Sequence, residues 1–303
     1  MKKSSQRLRR TEQRSTRSRD LDQQPTRAIL RTLSREDATV ARAVARALPQ
    51  IARAVDAIVH AIRKGGRLIY AGAGTSGRLA VLDAAECPPT FGTSPRVVQA
   101  VIAGGRRALT SAVEGAEDSA ARGGKDLAAR RAASRDVVVG LSASGSTPYV
   151  LGALQYARRR GARTVAVTAH GHSAIARAAH IAIVAETGPE AIAGSTRMKA
   201  GTAQKMILNM LSTAAMVRLG HVYDNWMIDV ALSNRKLRER GLRILQEATG
   251  ASPSQAETAL RAAGNDLRVA LVMLKGGRKS GTAADARHRL RAAGGDLRRA
   301  LGE

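Results

Sequence analysis

The chain has one cysteine, one tryptophan, one phenylalanine and four tyrosines in 303 residues. A single thiol excludes an intramolecular disulfide framework and a cysteine-based zinc site. Cys87 itself reads as a small residue in a tight segment rather than a nucleophile, since no histidine lies near it in sequence. So few aromatic rings leave little material for stacking on bases, and the core has to come from Ala, Val, Leu and Ile, which suits parallel strands. No run approaches the ~18 apolar residues of a membrane span. Lys2, Lys3, Arg7, Arg9 and Arg10 are followed by no apolar stretch, so the start does not read as a secretory leader. These absences point to a cytoplasmic protein with no membrane partner. Acidic residues are also scarce, 24 against 50 Lys and Arg, giving a formal charge of +26. That excess is spread along helical segments and not gathered into a nucleic-acid-binding motif, so an anionic small molecule is the expected partner and nucleic acid is not.

Glycine and hydroxyl residues are present where they matter. Residues 71–92 read AGAGTSGRLAVLDAAECPPTFG and follow the apolar run Leu68-Ile69-Tyr70. Gly72, Gly74, Thr75, Ser76 and Gly77 make a tight polar turn, after which Leu79, Ala80, Val81 and Leu82 open a helical pattern. Strand, Gly-rich turn and helix form a phosphate cradle: glycines let the main chain approach, hydroxyls donate, and the helix N-terminus offers unpaired N–H groups. A second turn, Ser142-Ala143-Ser144-Gly145-Ser146-Thr147-Pro148, carries four hydroxyls, and Pro148 suits the first turn of a following helix. Such turns also occur as plain caps; two of them at one sheet edge favour anion binding.

Five short β-rich runs, Leu68–Ala71, Val97–Ile102, Val137–Leu141, Thr164–Thr168 and Ile181–Val184, alternate with helical patterns. This predicts an α/β protein with a doubly wound five-stranded parallel sheet, N-terminal helices and a small C-terminal helical appendage. Ligands of such sheets bind outside the carboxyl ends of the strands, where both turns fall. Residues 1–25 are polar and basic and are expected to be flexible unless a partner chain orders them. Residues 26–250 form the expected main domain. Within it, Ser34 before Glu36-Asp37 is an expected helix start, Pro49 divides the first apolar pattern, and helices are expected over 199–219 and 225–248. After Gly250 the character changes, and 251–303 are expected as a separate helical module. There Arg261-Ala262-Ala263-Gly264-Asn265-Asp266-Leu267-Arg268 nearly repeats as Arg291-Ala292-Ala293-Gly294-Gly295-Asp296-Leu297-Arg298, each copy reading as helix, Gly stop, cap and next helix.

Six ordered blocks resemble the N-acetylmuramic acid 6-phosphate etherases of the sugar isomerase (SIS) superfamily. They are Thr11-Glu12-Gln13-Arg14 with the following Arg17–Asp22, residues 66–78, residues 83–92, AVEGAEDS at 112–119, SASGSTPYV at 142–150 and GSTRMKAGTAQKMILNMLST at 194–213. The likeness covers residues 11 to about 250 and is looser beyond. It implies an SIS sandwich, a sugar phosphate as ligand and a homodimer with sites near the interface. It also implies phosphate or substrate contacts from Gly74, Thr75, Ser76, Gly77, Arg78, Ser142, Ser144, Ser146, Thr147, Ser195 and Lys199. Where the family usually has Arg, this chain has Ser146, a missing charge that Arg78, Arg197 or Lys199 could replace.

The residues alone leave Glu114, Glu117 and Asp118 equivalent, since each could be a solvated helix charge. The etherases use one Glu of the ECPP segment and one of the EGAED segment as their catalytic pair, and carrying that across selects Glu86 and Glu117. The implied reaction is loss of the C2 proton from the open-chain aldehyde to Glu117, departure of the lactyl oxygen from C3 with help from Glu86, and addition of water. A carboxyl serving as acid near neutral pH needs burial or a like-charged neighbour, and Ala84, Ala85, Pro88 and Pro89 suggest burial for Glu86. A carbonyl already stabilises the carbanion, so neither a metal nor another cofactor is expected, and His170 and His172 lack partner ligands. Rival readings on this fold are a phosphosugar isomerase, which would lack the joint ECPP and EGAED segments, and a non-catalytic sugar-phosphate sensor. A DNA-binding regulator would need a helix-turn-helix, for which residues 1–35 are too short and polar.

Overall fold

The computed structural model describes residues 10–232, 234–276 and 281–303; the basic stretch 1–9 lies outside them. The chain forms two compact units, one of residues up to Ala85 together with Pro95–Ala214, the other of Glu86–Ser94 together with Ala215–Glu303.

In the first unit, residues 10–25 are not featureless. They make three 3-10 turns, Arg10–Glu12, Thr16–Ser18 and Leu21–Gln23, and Thr11 is buried. The helices α1 (Thr26–Asp37), α2 (Val40–Ala45) and α3 (Leu48–Arg63) follow. The first starts eight residues before Ser34, behind Pro25, whose extended backbone sets the entry, and Ser34 lies inside it. Pro49 does divide the pattern, because a proline is tolerated in the first turn of a helix but not in its middle.

The sheet strands are β1 (Leu68–Gly72), β2 (Val98–Ile102), β3 (Val137–Leu141), β4 (Arg163–Thr168) and β5 (Ile181–Val184). All pair in parallel, in the order β2-β1-β3-β4-β5. Between them run α4 (Gly74–Phe91), α5 (Ala120–Ala129), α6 (Pro148–Arg159) and α7 (Ala174–Ala178), and after β5 comes α8 (Lys199–Arg218). This is the expected doubly wound sheet. Ile69, Ala71, Val138 and Ala166 share a buried cluster with Val150, Ala153 and Leu154 of α6 and Leu127 of α5. Side chains alternate along a strand, so Leu68, Tyr70, Val137, Val139, Val165 and Val167 face the opposite layer, where α3 packs against β1, β3 and β5. Each large apolar side chain so buried contributes about 1.5–3 kcal/mol. At the N-terminal edge of the sheet the buried Asp136 accepts from the Arg67 backbone at 2.9 Å and from its guanidinium at 2.6 Å, clamping the start of β1 to that of β3. The carboxyl edge is left open for ligands.

The second unit takes the C-terminal ends of α4 and α8, then a small hairpin, β6 (Val222–Tyr223) and β7 (Trp226–Met227), and continues with α9 (Arg235–Thr249), α10 (Pro253–Ala262), α11 (Leu267–Lys275), α12 (Ala283–Ala292) and α13 (Leu297–Leu301). The hairpin occupies the start of what periodicity alone predicts as helix over 225–248. Composition places a break after Gly250, yet Tyr223, Ile228, Val230, Ile244 and Leu245 share one apolar cluster with Leu260, Leu267 and Leu271. The 30-residue repeat is two helix pairs, with the Asp266 side chain accepting from Val269 N and that of Asp296 from Arg299 N. Ser252 and Gln255 close a capping box at the head of α10.

Candidate active site

The strand order reverses between β1 and β3, and a crevice is expected outside the carboxyl ends of those two strands. A cleft of about 470 Å³ lies there, in the size range of small-molecule sites. Its walls are the turn Ala73–Ser76, the turn at 142–147 with Pro148, the carboxylates Glu12, Glu117 and Asp118, and Gly194 with Thr196.

Both turns place a helix N-terminus at the cleft, that of α4 at Gly74 and that of α6 at Pro148. The unpaired N–H groups and dipole ends of these helices favour an anion. In the first turn, Gly77 is held close under the strand: a Cβ there would stand 2.5 Å from Ile102 Cγ1 and 2.9 Å from Gly72 O. In the second, Gly145 adopts φ +69°, and a Cβ would collide with Ser173 and stand 2.7 Å from Thr168 Oγ1. The four hydroxyls around it form a chain. Ser142 Oγ lies 2.8 Å from Thr147 Oγ1 and 3.4 Å from Ser144 Oγ, and Ser144 Oγ lies 2.9 Å from Ser146 Oγ. Hydroxyl rotors can redirect their protons toward a ligand without moving a heavy atom.

Of the residues expected from sequence, Gly74, Thr75, Ser76, Ser142, Ser144, Ser146, Thr147 and Glu117 line this one cleft. Gly77 supports the first turn from below. Ser195 is half-buried between two wall residues, Gly194 and Thr196. The cations are elsewhere. Arg78 donates from Nε to Leu109 O and from Nη2 to Ser111 O, both at 3.2 Å, bracing the segment after β2. Lys199 is buried, with Nζ 2.5 Å from Glu36 Oε2, and Arg17 lies 3.1 Å from the same carboxylate. Among the described residues no Arg or Lys lines the cleft, and Arg197 is exposed beside the wall residue Thr196.

Glu86 is exposed, not buried as its neighbours suggested. On α4 the inward positions are Ala80, Ala84, Cys87 and Phe91, three or four residues apart, and Glu86 falls between them on the outward side. It belongs to the second unit, and it does not line the cleft of the first. Nor do Pro88 and Pro89 stop α4, which runs to Phe91; they remove N–H donors only from its last turn.

Two carboxylates escaped the sequence reading. Glu12 lies in a segment expected to be flexible, although its motif stood among the family-like blocks. Glu190 is fully buried and caps α8, its Oε2 accepting from Lys199 N at 3.0 Å and its Oε1 from Ala200 N at 2.9 Å. Burial raises the Glu190 carboxyl above its ordinary value, and those two N–H groups and the Lys199 charge oppose the shift.

The sheet order and the hydroxyl-lined cleft are those of a doubly wound α/β protein with an anion site, the architecture expected of an SIS domain. Sequence comparison agrees: residues 110–214 match the SIS domain, and residues 50–158 match the glucokinase regulatory protein N-terminal SIS domain. The chain is 54% identical to N-acetylmuramic acid 6-phosphate etherase 1 of Bacillus licheniformis, over 88% of this chain and 87% of that one. It is 53% identical to the N-acetylmuramic acid 6-phosphate etherases of Aeromonas hydrophila, over 92% and 93%, and of Streptomyces avermitilis, over 88% and 85%. Among solved structures, a phosphoheptose isomerase from Francisella tularensis aligns with a TM-score of 0.49 at 20% identity, over 65% of this chain and 98% of that one. The chain belongs to the N-acetylmuramic acid 6-phosphate etherase family.

Proposed function

We propose that this protein cleaves the D-lactyl ether of N-acetylmuramic acid 6-phosphate, giving N-acetylglucosamine 6-phosphate and D-lactate. It acts as a carbon–oxygen lyase in the catabolism of a cell-wall amino sugar. The observation that carries the reading, beside family membership, is that Glu117 shares one cleft with the two hydroxyl turns. The phosphate is held by N–H groups and hydroxyls of residues 74–76 and 142–147 at the two helix N-termini. The open-chain aldehyde then presents its C2–H to Glu117. Loss of that proton gives an enolate, which expels the lactyl oxygen from C3. Glu86 is proposed as the acid that protonates the departing oxygen, on the strength of its motif alone. The C2 proton on Glu117 exchanges with solvent and Glu86 regains one, so the net proton count is unchanged. The freed Glu117 then takes a proton from the water that adds at C3 of the unsaturated aldehyde and passes it to C2. The same reading makes the working unit a cytoplasmic homodimer, which light scattering of the purified protein tests.

Isotopes test the chemistry. In H₂¹⁸O the heavy oxygen should enter the C3 hydroxyl of N-acetylglucosamine 6-phosphate and not the lactate, and in D₂O deuterium should enter C2. Heavy oxygen in the lactate would mean displacement at the lactyl carbon and would overturn the elimination. The match of residues 50–158 to a regulatory protein's domain keeps a second reading in view, a sugar-phosphate sensor that binds without releasing lactate.

A further inference from the structure

The cleft carries three carboxylates and, among the described residues, no cation. One of the three, Glu117, has a part in the proposed reaction. Glu12 is different, because it enters the cleft from a segment more than 100 residues away in sequence. That segment is tied down at several points. Gly194 N donates to Thr11 O at 3.3 Å, Ser18 Oγ donates to Ala191 O at 2.7 Å, and Arg17 pairs with the buried Glu36 at 3.1 Å. Thr11 is buried, so the residue beside Glu12 is fixed in the wall. Glu12 Oε2 lies 3.4 Å from where a Cβ on Gly194 would stand, and Gly194 has φ +78°, a left-handed conformation that favours glycine. The bare glycine leaves room for the carboxylate.

We propose that Glu12 is a substrate-binding and specificity-determining residue that accepts hydrogen bonds from neutral donors of the sugar, its hydroxyls or acetamido N–H. This rests on the sugar-phosphate reading above. An ionised carboxylate only accepts, and it repels a phosphate or a lactyl carboxylate. The cleft is therefore bipolar. Helix N-termini and hydroxyls at residues 74–76 and 142–147 form the pole for the anion, and Glu12 marks the pole for the neutral donors. The two poles together set the direction in which a sugar phosphate can lie. The segment at residues 10–25, anchored to the loop before α8, is the device that supplies the second pole.

The test is calorimetric binding of N-acetylglucosamine 6-phosphate and of inorganic phosphate to wild type, Glu12→Gln and Glu12→Ala, with thermal melts to establish that each is folded. A hydrogen bond to a charged group corresponds to about a ten- to hundred-fold change in affinity. Glu12→Ala should weaken the sugar phosphate by at least about tenfold while inorganic phosphate stays within about twofold, and Glu12→Gln, which keeps an acceptor without its charge, should fall between. Unchanged sugar-phosphate affinity in Glu12→Ala would overturn the proposal. Equal loss of both ligands would overturn it as well, by making Glu12 a support of the cradle. The assay does not depend on turnover, so a wild type that binds the sugar phosphate without releasing lactate refutes the lyase reading and leaves this one standing. A wild type that binds no sugar phosphate refutes both.

Discussion

The hydroxyl of Ser76 donates to Oε1 of Gln204 at 2.8 Å, tying the Gly-rich turn at the head of α4 to the second turn of α8. Gln204 is buried, and its Nε2 has no hydrogen-bond partner among the described residues. In this arrangement the Ser76 proton is directed at Gln204 and not at a ligand. Rotating the amide by half a turn exchanges O for N; its N–H then donates to Ser76 Oγ and releases the serine proton toward the cleft. Gln204→Leu and Ser76→Ala should each raise KM for the sugar phosphate by about tenfold. The double variant should be no worse than either single one, because the two residues act as a unit. Steady-state kinetics of the four proteins measures this, and additive effects would contradict the coupling.

Lys199 was expected at the phosphate, and the structure places it in a buried ion pair with Glu36. Breaking one partner of a buried pair leaves an uncompensated charge, at a cost of about 3–5 kcal/mol. Arg17, largely exposed, offsets only part of that. Urea denaturation of Lys199→Met should show a loss of this size. Wild-type stability combined with a raised KM would return Lys199 to the phosphate.

Asp83 accepts from Tyr70 OH at 2.8 Å and from Ser212 Oγ at 3.0 Å. Burial raises its carboxyl above the ordinary range, and these hydrogen bonds and Lys205 pull it part of the way back. The folded state thus holds this proton to higher pH than the unfolded state. Its contribution is full below the ordinary carboxylate value of about 3.9, and is lost as pH rises through the raised folded value. Asp83→Asn removes the loss, so its gain in melting temperature over wild type should be larger at about pH 7 than at about pH 4. An equal difference at both would contradict the assignment.

Gly145 has no room for a side chain and a backbone that disfavours one. Gly145→Ala should destabilise the protein by about 1–3 kcal/mol from the backbone alone, and weaken inorganic phosphate binding because the hydroxyl chain from Ser142 to Thr147 is built around this turn. Thermal melts and calorimetry check both; a variant with native stability would mean that the turn can relax.

The sheet was legible because β-branched runs alternate with helical periods, and every strand ends within one residue of its expected bound. The cradle was legible because glycine and hydroxyls in strand-to-helix turns have a local physical reason. What local pattern cannot show is where a long side chain finds its partner. Nothing in the sequence near Lys199 announces Glu36, 163 residues away, and nothing near Arg78 announces the carbonyls of Leu109 and Ser111. Glu12 was hidden because a polar, basic segment reads as flexible until its tertiary anchors are seen. The apolar neighbours of Glu86 in sequence do not bury it, because around the helix Ala84 and Cys87 turn inward while Glu86 stays exposed.

The most direct test is D-lactate release from N-acetylmuramic acid 6-phosphate by the purified protein, with Glu117→Gln and Glu86→Gln alongside. The wild type should yield lactate and N-acetylglucosamine 6-phosphate in equal amounts, and each variant should be slower by about a hundred- to ten-thousandfold, the usual contribution of a general acid or base. A folded wild type that binds the sugar phosphate and yields no lactate would contradict the lyase reading and make the protein a sensor.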